Sequence, residues 1–208
     1  MGFYNDVILP KLCDIAMRNK ELLPYRERTI RAAEGRVLEI GIGSGLNLPF
    51  YGPAVKQVVG LEPGLKLLDM ARRVRRPDIN LEFVEGSAEA IPLEDRSIDT
   101  VVTTWTMCSI PDVDRAVAEA RRVLKSGGKL VFVEHGRASE PRVQWWQDRL
   151  TPAWKRVSGG CSLNRDIAEI LRRNGFHIEE MTTGYMNGLK PMTLKPMTFM
   201  YEGQARPR

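Results

Sequence analysis

Two hydrophobic periods alternate along the chain. Mostly apolar runs, rich in Val, Ile and Leu, occupy residues 37–40, 55–61, 81–84, 97–102 and 129–133. Short runs of this composition predict strands of a parallel sheet, buried largely on both faces. Between them, Leu65, Leu67, Leu68 and Ala71 form a stripe at helical spacing, and residues 112–124 predict an amphipathic helix closed by Gly127-Gly128. Residues 166–174 predict a further helix stopped by Gly175, and residues 176–181 and 198–204 predict a terminal antiparallel pair of strands. Strand and helix taking turns in this way predict an α/β doubly wound sheet. Two segments stand outside the alternation. Residues 1–34 predict a helical cap in which Phe3, Tyr4, Val7, Ile8, Leu12 and Ile15 recur at helical intervals, interrupted by Pro10, before a second helix over 24–33. Residues 137–165 form an aromatic insert holding three of the four tryptophans. At 208 residues the whole, 1–208, is expected to be one domain.

The first strand breaks into Glu39-Ile40-Gly41-Ile42-Gly43-Ser44-Gly45. Glycines at alternate positions let the backbone turn sharply and approach a ligand, because no Cβ intervenes. A dinucleotide fingerprint would need glycine at 46, where Leu46 stands. The second strand ends in Glu62-Pro63, roughly 20 residues on, where a carboxylate can accept both hydroxyls of a ribose.

Glu39 to Gly45, Glu62, Ser97-Ile98-Asp99-Thr100-Val101-Val102 and Leu124-Lys125-Ser126-Gly127-Gly128-Lys129-Leu130 together resemble the class I S-adenosylmethionine-dependent methyltransferases, in the family's order across residues 37–134. The resemblance implies a seven-stranded, mostly parallel Rossmann-like sheet with an antiparallel C-terminal strand, and S-adenosylmethionine as cofactor. It implies cofactor contacts at Glu39, Gly41, Gly43, Gly45, Glu62, Pro63, Ser87, Ala88 and Thr104. Ser87 departs from the family's usual Asp in the adenine-contacting loop. Tyr4 is expected to close the pocket, as an N-terminal aromatic does in many such enzymes. The segment after the fourth strand, Thr103-Thr104-Trp105-Thr106-Met107-Cys108-Ser109, should border the methyl group, with Trp105 and Met107 as an apolar wall. It lacks the Asn/Asp-Pro-Pro-aromatic signature of nucleic-acid amino methylases.

The fifth strand delivers Glu134-His135-Gly136 to the same edge, and His135 is the titratable group best placed to act as general base or to orient a substrate. The insert, with Trp146, Trp154 and Cys161, is expected to build an apolar acceptor pocket. Glu134-His135-Gly136, Met107-Cys108-Ser109, the Trp146 to Trp154 stretch and Gly160-Cys161-Ser162-Leu163-Asn164-Arg165 are similar to methyltransferase-like proteins that methylate small alkyl thiols. Gly41 to Tyr51 also resembles bacterial phospholipid N-methyltransferases. A thiol acceptor is the preferred expectation; a phospholipid amine, a quinol, and a non-catalytic cofactor-binding scaffold are the alternatives. In each reaction the protein has to align a nucleophile with the sulfonium methyl and exclude water, with no metal required.

Charge changes little. A net +5 is concentrated in Arg pairs on helix-like segments without interleaved aromatics, which argues against a nucleic-acid partner and allows weak contact of the N-terminal helix with a membrane surface. Three scattered cysteines and two histidines predict neither a disulfide framework nor a zinc set, and a cytoplasmic setting, peripheral to a membrane at most, is expected. No segment has the length and apolarity of a membrane span, and no basic-then-apolar leader opens the chain.

Overall fold

The computed structural model describes residues 8–74, 76–186 and 192–208. Tyr4 and part of the Gly/Pro/Met-rich loop between the last two strands lie outside the described residues.

The strands are β1 (Gly35–Ile40), β2 (Val55–Glu62), β3 (Asn80–Glu85), β4 (Ile98–Thr104), β5 (Leu124–His135), β6 (Phe176–Tyr185) and β7 (Phe199–Pro207), and they form one sheet in the order β3-β2-β1-β4-β5-β7-β6. β1 to β5 pair in parallel, and β7 runs antiparallel to both β5 and β6. This is the expected doubly wound, mostly parallel sheet with an antiparallel C-terminal strand. The strand order reverses between β1 and β4, so the loops after these strands open a crevice at the carboxyl edge.

The two-faced burial of the central strands explains why Val, Leu and Ile dominate them. On one face Leu38, Val101, Leu130 and Phe132 pack with α4 (Val113–Val123) and α6 (Ile167–Arg173). On the other, Val37, Val58, Val102 and Val131 pack with Ile30 of α2 (Leu23–Arg31) and with Leu68 and Ala71 of α3 (Leu65–Ala71). Truncating a fully enclosed side chain such as Phe132 to Ala would cost about 3–5 kcal/mol.

Local chemistry departs from the sequence pattern in three places. Pro10 does not interrupt the first helix; it sits in the opening turn of α1 (Leu9–Met17), where a missing N–H costs nothing. Gly127 and Gly128 do not close α4: the chain turns extended at Leu124, and both glycines lie within β5. β6 and β7 each run beyond their expected ends, because they pair along nearly their whole length. Asp99 is structural, accepting the Arg36 N–H at 2.8 Å and Lys125 Nζ at 2.7 Å. None of the helices among the described residues is long and apolar enough to cross a membrane.

Candidate active site

The loop after β1 is shaped by three residues at positive φ, Gly41 (70°), Gly43 (55°) and Gly45 (81°). A Cβ on Gly41 would lie 2.5 Å from the Thr106 side chain, so only glycine lets the β1 and β4 loops meet. Around Gly43 the nearest atom to such a Cβ is 3.9 Å away, which leaves the side of its Cα where a side chain would stand open to a ligand. Asn47 fastens the loop from behind. Its Nδ2 donates to Glu39 at 2.7 Å and to Thr104 Oγ1 at 3.0 Å, and its Oδ1 accepts from Arg26. The second oxygen of Glu39 accepts the Tyr51 hydroxyl at 2.7 Å. Glu39 is therefore enclosed and spent on protein partners, and burial pushes its carboxyl up to about 7.

Glu62, at the tip of β2, accepts the N–H groups of Gly43 at 3.1 Å and Gly64 at 2.9 Å; burial raises its carboxyl. Pro63 lies between Glu62 and Gly64. After β3, the Ser87 hydroxyl donates to Glu89 at 3.0 Å and accepts the Glu89 N–H at 3.2 Å, and Ala88 is buried. Ser87 thus closes a local turn, leaving its backbone rather than its hydroxyl for a ligand edge. α1 lies against the glycine loop, with Ser44 Oγ donating to Asp14.

On the acceptor side, Trp105 takes φ 50°, with Arg26 over its ring at 5.1 Å. Its backbone N–H donates to the Val133 carbonyl at 2.8 Å, turning the chain sharply into buried Met107 and Cys108. Thr106 donates its backbone N–H to Glu134 at 3.1 Å. Glu134 has no exposure, and burial pushes it to about 7. The 161–165 segment is stitched to this loop. Ser162 N–H donates to the Cys108 carbonyl at 2.8 Å, and the Arg165 guanidinium donates to the carbonyls of Met107 and, at 2.6 Å, of Ile110. Arg137 N–H donates to the Arg165 carbonyl at 2.8 Å, and a Cβ on Gly136 would lie 2.4 Å from that oxygen.

These bonds bring Cys161 to His135, Sγ to Nε2, at 3.0 Å. Burial works against a charged His135, yet the Cys161 contact holds its pKa raised; Cys161 is lowered by contact with Cys108 and His135. His135 Nδ1 is buried without a partner. The Trp154 indole nitrogen is also buried, beside Cys161.

Residues 38–132 match the methyltransferase domain family. Human thiol S-methyltransferase TMT1B is 32% identical over 82% of this chain and 72% of its own length. The chain belongs to the class I S-adenosylmethionine-dependent methyltransferases. The phosphatidylethanolamine N-methyltransferase of Cereibacter sphaeroides is 36% identical over 53% of this chain and 57% of that protein. A S-adenosylmethionine-dependent methyltransferase from Mesorhizobium loti shares the fold, with a TM-score of 0.68 at 17% identity over 91% of this chain and 99% of that one.

For a methyltransferase, the open face of Gly43 and the braced carboxylate of Glu62 fit the methyl donor: one admits backbone approach and the other offers oxygens to ribose hydroxyls. The loops carrying Gly41, Gly43, Gly45, Glu62, Pro63, Ser87, Ala88 and Thr104 all open at the carboxyl edge of the sheet. Trp105, Met107, His135, Trp154 and Cys161 gather around the ends of β4 and β5. Trp146 does not join them. It is 52% exposed, edge-on to Trp145 at 4.8 Å, because the buried side of α5 (Pro141–Val157) is set by Gln147 and Thr151. Gln147 spans the Ala138 N–H and the carbonyls of Gly136 and Pro196. Asn47, Arg26, Cys108 and Arg165 were not singled out in the sequence as site residues. The Asn following the glycine triplet was the available signal for the first.

Proposed function

We propose that this methyltransferase transfers the methyl group to the sulfur of a small apolar thiol. What supports this is the extent of the match to human TMT1B. It reaches well beyond residues 38–132 and takes in segments that meet at the ends of β4 and β5, whereas the phospholipid enzyme matches little more than half the chain.

The chemistry asks for little beyond placement. S-adenosylmethionine supplies an electrophilic methyl on a cationic sulfur, and a free thiol with a pKa of about 8.5 needs modest help to ionise. Gly43 and Glu62 hold the donor. Met107 and Trp105 keep water from the line of attack. His135 orients the acceptor through Nδ1, the nitrogen that the protein leaves unpartnered.

The second reading is a phospholipid amine. It is favoured by the outward face of α1, where Leu12 is 50% and Ile15 68% exposed, a strip suited to lipid contact. The test is transfer from labelled S-adenosylmethionine to a small alkyl thiol, phosphatidylethanolamine vesicles and a quinol in parallel. Turnover on the thiol alone is expected; turnover on vesicles alone would transfer the chain to the second reading. Donor binding without any product would favour a scaffold.

A further inference from the structure

We propose that Cys108, His135 and Cys161 form a binding site for a soft divalent metal ion, zinc(II) foremost, with a fourth coordination position open to the acceptor. The three come from separate parts of the chain: the loop after β4, the end of β5 and the segment after α5. Their sulfur and nitrogen atoms lie within 4.8 Å of one another, and His135 Nε2 is 3.0 Å from Cys161 Sγ. Tetrahedral zinc with bonds of about 2.0–2.3 Å sets its donors roughly 3.5–3.8 Å apart, inside that spread, so small side-chain rotations admit the ion. Two thiolates and a neutral imidazole are the donor types that zinc selects, and three protein ligands with a vacant position are the arrangement of reactive rather than structural zinc.

The backbone beneath the donors is already fixed. Ser162 N–H holds the Cys108 carbonyl, Arg165 holds the Met107 and Ile110 carbonyls, and Gly136 lets the Arg165 carbonyl approach the end of β5. The electrostatic influence of Arg165 on both cysteines offsets thiolate charge. Cys13 of α1 interacts with Cys161 across the same space without belonging to the group.

The role of the ion rests on the thiol reading; the site itself does not. An acceptor thiol entering the open position would release its proton to solvent. Its sulfur lone pair would then form the new bond to the methyl carbon as the carbon–sulfonium bond breaks. The electron pair of the broken carbon–sulfonium bond would return to the donor sulfur, leaving the spent donor as a neutral thioether.

The experiment uses the full chain, stripped by a chelator and titrated with cobalt(II), then zinc(II). One cobalt per chain is expected, with thiolate-to-cobalt charge-transfer absorption that zinc abolishes. Cys108→Ser and Cys161→Ser should each weaken cobalt binding by more than about 100-fold, and Cys13→Ser should leave the absorption intact. Cys161→His should retain zinc with a changed cobalt spectrum, and donor binding by calorimetry checks that each variant is folded. No charge-transfer band, or one indifferent to Cys161→Ser in a folded protein, would overturn the site. Full thiol turnover by stripped enzyme would overturn the ion's role and leave the thiol reading standing. A metal-bound enzyme inert toward thiols would keep the site and remove the thiol reading.

Discussion

Glu62 accepts the backbone N–H of Gly43 at 3.1 Å, so the carboxylate proposed to meet the ribose also braces the glycine loop. On that reading one side chain couples two halves of the cofactor site. Glu62→Ala should therefore weaken S-adenosylmethionine binding by about 100-fold or more, since hydrogen bonds to a charged group are worth about 1.5–3 kcal/mol each. Glu62→Gln should lose less. Calorimetric titration decides it, and an unchanged affinity would confine Glu62 to holding the loop.

Gly41 and Gly43 share a left-handed backbone but differ in surroundings, and alanine scanning should separate them. Both substitutions carry about 1–2 kcal/mol of backbone strain. Gly41→Ala adds a methyl 2.5 Å from Thr106 and should lower the melting temperature well beyond that. Gly43→Ala meets no protein atom nearer than 3.9 Å, so it should lose stability only by that strain, with lost donor affinity as its main effect. Equal losses of stability would contradict the open side of Gly43.

The sheet was legible because its signals are local. Val37-Leu38 and Val101-Val102 announce two-sided burial, and three glycines announce a turn that no other residue can make. The place of Glu62 at the tip of β2 was legible from spacing. The acceptor side was less so, because its residues are made neighbours by bonds that sequence does not encode in any period: Ser162 N–H to the Cys108 carbonyl, and Arg165 to the Met107 carbonyl. Scattered cysteines predicted no metal set, yet the ends of β4 and β5 and the turn after α5 bring two of them to His135. Trp146 was misplaced for a related reason. Aromatic composition says that a segment is apolar, but the polar Gln147, through three hydrogen bonds, fixes which side of α5 faces inward.

Glu39 makes stability depend on pH. Its folded pKa of about 7 lies above the ordinary 4.5, so the folded state holds a proton that the unfolded state has released. The associated stability is full below 4.5 and is lost as pH rises through 7, an effect of at most about 3 kcal/mol. Glu134 contributes in the same direction. Urea midpoints measured from pH 5 to pH 8 should fall more steeply for the native protein than for Glu39→Gln, whose remaining slope belongs to Glu134 and the other groups. Parallel curves would mean that Asn47 and Tyr51 keep Glu39 ionised throughout.

Arg165 separates the acceptor side from the donor side. Its guanidinium reaches the carbonyls of Met107 and Ile110 at once, a fork that a lysine ammonium cannot reproduce. Arg165→Lys keeps the charge but loosens the loop that carries Met107 and Cys108, leaving at least one carbonyl without its donor at a cost of about 1–3 kcal/mol. For a chain of this size that corresponds to a fall of roughly 2–10 °C in melting temperature. The glycine loop and Glu62 hang on other bonds, so donor affinity should hold while the acceptor KM rises several-fold. A variant that lost donor and acceptor binding together would show that the loops after β1 and β4 move as one body. In that case the contact between Gly41 and Thr106, rather than the Arg165 fork, would govern the site.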